Sequence, residues 1–191
     1  MRVTREQMAE HRRKILESAG KLFRAKGFEA VTVAEVMQAA GLTHGGFYGH
    51  FKSKDDLVAE TLAQAFKPGK SSGDLAAFTR SYLSPKHRDD FAGGCSTAGL
   101  AAETIRQAPA ARTAMTAGLR QTIERLSLQA AGETGAARRR AAIGPWAAMV
   151  GALVLARASD DLKLSDEILS EVRAWLEEKD RPSGRARVKP H

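Results

Sequence analysis

At 191 residues, 43% hydrophobic and 27% charged, the chain is long enough to bury a sizeable core and has the balance of a globular protein. A net charge of +8 makes polyanions plausible partners, although much of it lies in DRPSGRARVKPH (180–191), which reads as a basic, disordered tail. One cysteine excludes an internal disulfide, and no apolar run reaches the ~18–20 residues that span a bilayer. The first residues lack the apolar stretch of a signal peptide, so a cytoplasmic location without membrane attachment is expected.

The elements follow in chain order. Ile15, Leu16, Ala19, Leu22 and Phe23 share one helical face, with a Thr4–Gln7 capping box before them and Gly27 as a stop. A second helix starts at Thr32, with Glu35 as reciprocal cap, buries Val33, Val36, Met37 and Ala40, and ends at Gly41. A third runs from its N-cap Thr43 to about His50. A fourth, 53–67, opens on a Ser53–Asp56 box and carries Leu57, Val58, Leu62, Ala65 and Phe66 on one side. Pro68-Gly69-Lys70-Ser71-Ser72-Gly73 marks a lobe boundary. Beyond it, helices are predicted over 74–84, 96–107, 109–131, 136–158 and from Ser165 onwards, with a polar loop over 85–94 and a bend near Pro145. The fold class is all-α, with about nine helices and no strand pattern.

The stretch AGLTHGGFYGHFKSKDDL (40–57) asks for more than a packing role. Its two helices and the Gly41-Leu42 turn have helix-turn-helix proportions. Gly45 and Gly46 remove side chains where a backbone could approach phosphates, and Tyr48 and His50 put polar tips beside the apolar Phe47 and Phe51. Lys54 stands at a helix start, where free N–H groups also attract phosphate. An ordinary αα-hairpin is the plainer alternative.

These residues resemble the DNA-binding head of the TetR family of bacterial repressors. Gly41, Thr43, Gly45, Phe47, Tyr48, His50, Phe51, Lys54 and Leu57 fall on its signature, and Gly27, Phe28, Thr32 and Val36 match upstream. The resemblance implies a homodimeric, effector-responsive transcription regulator, not an enzyme. Its head would be 1–52, its ligand-binding and dimerisation lobe 53–179 with 53–67 as connecting helix. Duplex DNA would be held by Thr32, Thr43, His44, Gly45, Gly46, Tyr48, Gly49, His50 and Lys54. Position 49, often a large side chain in the family, is glycine here, so few side chains remain to read bases. Thr43 and His44, backbone fit and DNA shape are left to supply specificity, with Arg2 and Arg5 as arms reaching a groove.

The second lobe is less legible. Phe66, Phe78, Tyr82, Leu100, Glu103, Met115, Leu119, Trp146 and Met149 are pocket candidates by position alone. Cys95, in GGCSTAGLAAE, reads either as a small core residue or as a thiol sensor, the latter because a helix start favours a thiolate and because the segment resembles a Gly-Cys piece of one branch of the family, some members of which sense electrophiles or oxidants. The helix 136–158 is apolar nearly all round, which fits either a monomer core or, by the resemblance, a dimer interface with Trp146, Val150, Leu153, Ile168, Val172 and Trp175. The Arg138–Arg140 run reads as a solvated face. Neither His87-Arg88-Asp89 nor Gly69-Lys70-Ser71 completes a kinase or P-loop motif, and the histidines lack metal-ligand spacing, so no metal or cofactor is expected. The rival class is a helical small-molecule-binding or thiol redox-sensing protein whose head makes protein contacts.

Overall fold

The computed structural model describes residues 4–67 and 75–180, with the backbone alone at Leu75 and Asp180. Arg2, the Pro68–Gly73 boundary and the basic tail beyond Asp180 lie outside the described residues. The described chain is entirely helical: α1 Arg5–Lys26, α2 Val33–Ala39, a 3₁₀ turn His44–Gly49, α3 Lys54–Ala65, α4 Leu75–Tyr82, α5 Pro85–Asp89, α6 Ser96–Thr104, α7 Pro109–Gln129, α8 Gly135–Ala158 and α9 Leu162–Asp180.

Local chemistry sets most of these boundaries. Thr4 Oγ1 accepts from Gln7 N at 3.1 Å while Gln7 Oε1 accepts from Thr4 N at 2.8 Å, which closes the capping box of α1. Thr32 and Glu35 do the same for α2. Ser53 caps α3, and the Asp56 carboxylate accepts from Lys52 N just outside it. Gly27 ends α1 at φ +83° and Gly41 ends the α2 turn at φ +71°, where a Cβ would be strained.

Three expectations change. The third element is a tight 3₁₀ segment of six residues, and Thr43 makes no side-chain capping bond. Its three glycines give up the side-chain packing that favours an α-helix. The 85–94 loop contains α5, started by Ser84 Oγ accepting from His87 N and by Pro85 in the first turn. The last helix begins at Leu162 instead of at a Ser165 cap, because the Asp161 carboxylate accepts from Lys163 N and Leu164 N. Ser165 is buried inside α9. It donates to Ala156 O at 2.7 Å and accepts from the Arg88 guanidinium at 3.0 Å, which ties α5, α8 and α9 together.

Two apolar cores result. The first joins Ile15, Ala19 and Phe23 of α1, Val36 and Met37 of α2, Phe47, Phe51 and the inner face of α3, and continues into Leu100 of α6 and Met115 of α7. The second joins Tyr82 and Leu83 to Met149, Ala152, Leu153 and Ala156 of α8 and Leu169 and Leu176 of α9. Helix α8 has 24 residues and a mean hydropathy of 1.5 over its most apolar stretch, enough by length and composition to cross a bilayer. This corrects the expectation from the longest unbroken apolar run, because the helix gathers apolar residues across its interruptions. Here its Met149–Leu153–Ala156 side packs on α9, while Ile143, Val154 and Leu155 stay exposed.

Candidate nucleic-acid interface

The 3₁₀ turn is anchored from one side only. Phe47 and Phe51 are fully buried with their rings stacked at 5.6 Å, and the backbone closes through His50 N to Phe47 O at 2.8 Å and Phe51 N to Phe47 O at 3.0 Å. Everything else on the turn faces out. Thr43, His44, Gly45, Gly46 and Gly49 are exposed, Tyr48 keeps 72% of its surface exposed, and His50 is half-buried.

The glycines of the turn answer to no internal demand. None has a positive φ, and a Cβ built at Gly45 or Gly49 meets nothing within 4 Å. At Gly46 it would meet Met37 Cε at 3.6 Å, an ordinary contact. Neither strain nor crowding inside the protein requires glycine at 45 and 49. What their absence of side chain does is leave the outer backbone open to close approach.

The rim is polar and basic. Arg12 of α1 donates to the His50 carbonyl, pairs with the Glu60 carboxylate of α3, and lies 4.4 Å over the Phe51 ring. That one guanidinium fixes the turn against both flanking helices. Burial, then the nearby charges of His11 and Arg12, push the His50 imidazole below its ordinary value, with the His11 ring 6.1 Å away. Lys54 is half-buried, with Nζ donating to Glu29 O at 3.4 Å. The Thr32 hydroxyl is occupied by the α2 cap, and its backbone N–H together with Lys26 holds Glu35 down to about 2. Arg5 is exposed in the first turn of α1. Arg12 was not singled out by sequence, because nothing in HRRK distinguishes it from Arg13; only the meeting of α1, α3 and the turn does.

The second-lobe candidates do not form one cavity. Phe66, Leu100, Met115 and Leu119 belong to the first core, and Phe66 packs so closely on α7 that a Cβ at Gly118 would lie 2.1 Å from its ring. Glu103 is a bridge: its carboxylate accepts from Phe28 N at 2.7 Å and sits against Gly27, where a Cβ would come within 2.5 Å. Trp146 and Met149 line a cleft of ≈ 260 Å³ between α4, α7, α8 and α9. Phe78 is exposed, beside Tyr82. The Tyr82 hydroxyl is buried with no partner in hydrogen-bonding geometry; burial, and after it the neighbouring Cys95, drive that phenol far above its ordinary value. Cys95 is half-buried at the start of α6, its N–H donating to His87 Nε2 at 3.2 Å. Of the interface candidates, Trp175 is exposed, Trp146, Val150, Ile168 and Val172 are half-buried, and Leu153 has no exposed surface and belongs to the core of its own chain.

Comparison with known proteins concentrates on the head. Residues 15–61 match the family described as bacterial regulatory proteins, tetR family. A 59-residue stretch is 41% identical to the HTH-type transcriptional regulator AcrR of Shigella flexneri, covering 31% of this chain and 27% of that protein. Another of 59 residues is 39% identical to the HTH-type transcriptional repressor KstR2 of Mycolicibacterium smegmatis, covering 31% and 29%. The chain thus matches under a third of the length of these two relatives. Over nearly the whole chain the likeness is one of fold: a TetR-family transcriptional regulator from Agrobacterium tumefaciens superposes with a TM-score of 0.68 at 22% identity, covering 90% of this chain and 98% of that one. The head thus matches the tetR family of bacterial regulatory proteins over residues 15–61, and the chain as a whole shares its fold with the Agrobacterium regulator.

Proposed function

We propose that the protein is a homodimeric transcription regulator, acting as a repressor in the cytoplasm, whose 3₁₀ turn enters the major groove of a roughly palindromic operator and whose DNA affinity is set by a small effector in the second lobe. The observation that carries this reading is the exposed, glycine-thinned turn His44–Gly49, whose Gly45 and Gly49 serve no need of the fold itself. Thr43 and His44 read base edges, while Tyr48, His50, Thr32 and Lys54 hold phosphates. With so few side chains in the groove, part of the specificity comes from DNA shape. The chain acts by binding, and the reading assigns it no chemistry.

Dimerisation is supported by the outer faces of α8 and α9, where Ile143, Val154, Leu155, Leu162, Leu164 and Trp175 remain exposed in the single chain. Control of the turn is supported by its connections. Helix α3 starts beside the turn and ends at Phe66 against Gly118 of α7, and Glu103 of α6 grips the N–H after α1. An effector that prefers one arrangement of α6 and α7 shifts the spacing of the two heads through these contacts, by no more than its differential affinity for the two states.

Selection of binding sites from random duplexes tests the proposal. The expected product is a pair of inverted half-sites about 10 base pairs apart, or a multiple of a helical turn. Recovery of no duplex, or of sites with no inverted symmetry, contradicts it.

A further inference from the structure

We infer that the cleft between α4, α7, α8 and α9 is the effector site, and that it takes a compact amphiphile ending in a carboxylate. This rests on the effector-controlled reading above and names the chemical class of the effector. The cleft has a volume of ≈ 260 Å³, and its walls are mostly apolar, with Leu126 of α7, Ala142, Trp146 and Met149 of α8 and Leu176 of α9, while Thr79 and Gln129 are its uncharged polar residues. At the packing density of protein interiors, ~0.74, that space suits roughly a dozen non-hydrogen atoms. It is a small site by the standards of ligand pockets.

The charge pattern selects the head group. Among the described residues no acidic side chain lines the cleft, and the one charged lining residue is Lys179. That ammonium has no carboxylate within ion-pair distance among the described residues; it rests 4.1 Å over the Trp175 ring at the rim. A lysine on a flexible stem at the mouth of an apolar slot gives a carboxylate its counter-ion while the tail takes the Trp146–Met149 wall. An amine would meet the same ammonium with no acid to neutralise either charge. An alcohol would gain the wall and forgo the ion pair.

Titration of the full-length protein with octanoate, 1-octanol and octylamine, each below its aggregation limit, tests this. The chain has two tryptophans, so Trp175→Phe leaves Trp146 as the single reporter inside the cleft. Octanoate is expected to perturb Trp146 fluorescence and to bind about three- to five-fold more tightly than octanol, the range of a partly exposed ion pair. Octylamine should bind most weakly of the three. Hexanoate should bind about ten-fold more weakly than octanoate, at about three- to four-fold per methylene lost. Lys179→Glu, on an exposed position that the fold does not depend on, should reverse the order of octanoate and octylamine. The inference is overturned if the three eight-carbon probes bind alike, if Lys179→Glu leaves their order unchanged, or if none perturbs Trp146. The last result in a dimeric protein would assign the cleft to a second copy. Duplex retention is scored separately. Octanoate binding with no retention of any duplex keeps the site and removes the regulator reading, whereas duplex retention with no octanoate binding does the reverse.

Discussion

Phe23, Phe28, Phe47 and Phe51 in the head expose at most 2% of their surface, whereas on the outer helices Leu155 and Leu162 leave 59% and 68% open. The head completes its core within one chain. It even draws Leu100 and Met115 from the second lobe into that core. The α8–α9 pair, by contrast, buries one side and leaves an apolar side uncovered. Apolar content alone therefore says little about where a residue ends. In the head it supports a polar turn aimed outward; on α8 and α9 part of it stays exposed in the single chain.

The contrast can be broken hardest from the head. Phe47→Ala removes the buried ring that holds the turn and should destabilise the protein by about 3–5 kcal/mol in urea unfolding. A loss under about 1 kcal/mol would mean the turn is not held by its core. Gly118→Ala drives a methyl group into the Phe66 ring, where a Cβ has 2.1 Å. Overpacking of that kind should cost about 1–3 kcal/mol, and it should alter the effector response of DNA binding more than DNA binding itself.

Smaller effects sharpen the comparison. Glu103→Gln keeps the shape but gives Phe28 N–H a neutral acceptor, which should cost about 1 kcal/mol by thermal unfolding and weaken communication between the lobes. Leu155→Lys on the uncovered face should leave the stability of the single chain within about 0.5 kcal/mol yet shift the dimer towards monomer in analytical ultracentrifugation. An unchanged dimer would move the interface elsewhere. The smallest effect is on pH. Glu35 is held at about 2 against an unfolded value of 4.5, by the Thr32 N–H first and then Lys26. Its contribution is fully present above the unfolded value and is lost as pH falls through about 2. Glu35→Gln should therefore lower the melting temperature slightly at neutral pH, with the gap to the parent closing as the solution is acidified.

Much of the head was legible in the sequence because its signals are local. Capping boxes at Thr4 and Thr32 and the stops at Gly27 and Gly41 each act within a few residues, and each was found where the spacing predicts. The turn was read as a helix and is a 3₁₀ segment, since periodicity cannot tell 3.0 from 3.6 residues per turn over six positions. Residues whose role depends on distant partners were not legible. Glu103 looked like a pocket residue until its carboxylate was seen on Phe28 N, and Leu153 shared the pattern of interface residues while lying wholly inside its own chain. Asp161 outcompeted Ser165 as the cap of α9 because Ser165 is claimed by Arg88, 77 positions away.

The most direct measurement is duplex binding by fluorescence anisotropy at rising salt, for the parent protein and for His44→Ala and Lys54→Ala, using the selected site and a scrambled duplex. A turn seated in the groove predicts affinity that falls steeply and log-linearly with salt, a loss of preference for the selected site in His44→Ala, and a uniform weakening with a slope shallower by about one in Lys54→Ala. Folded protein that retains no duplex at low salt, or two variants that behave alike on both sequences, would contradict it.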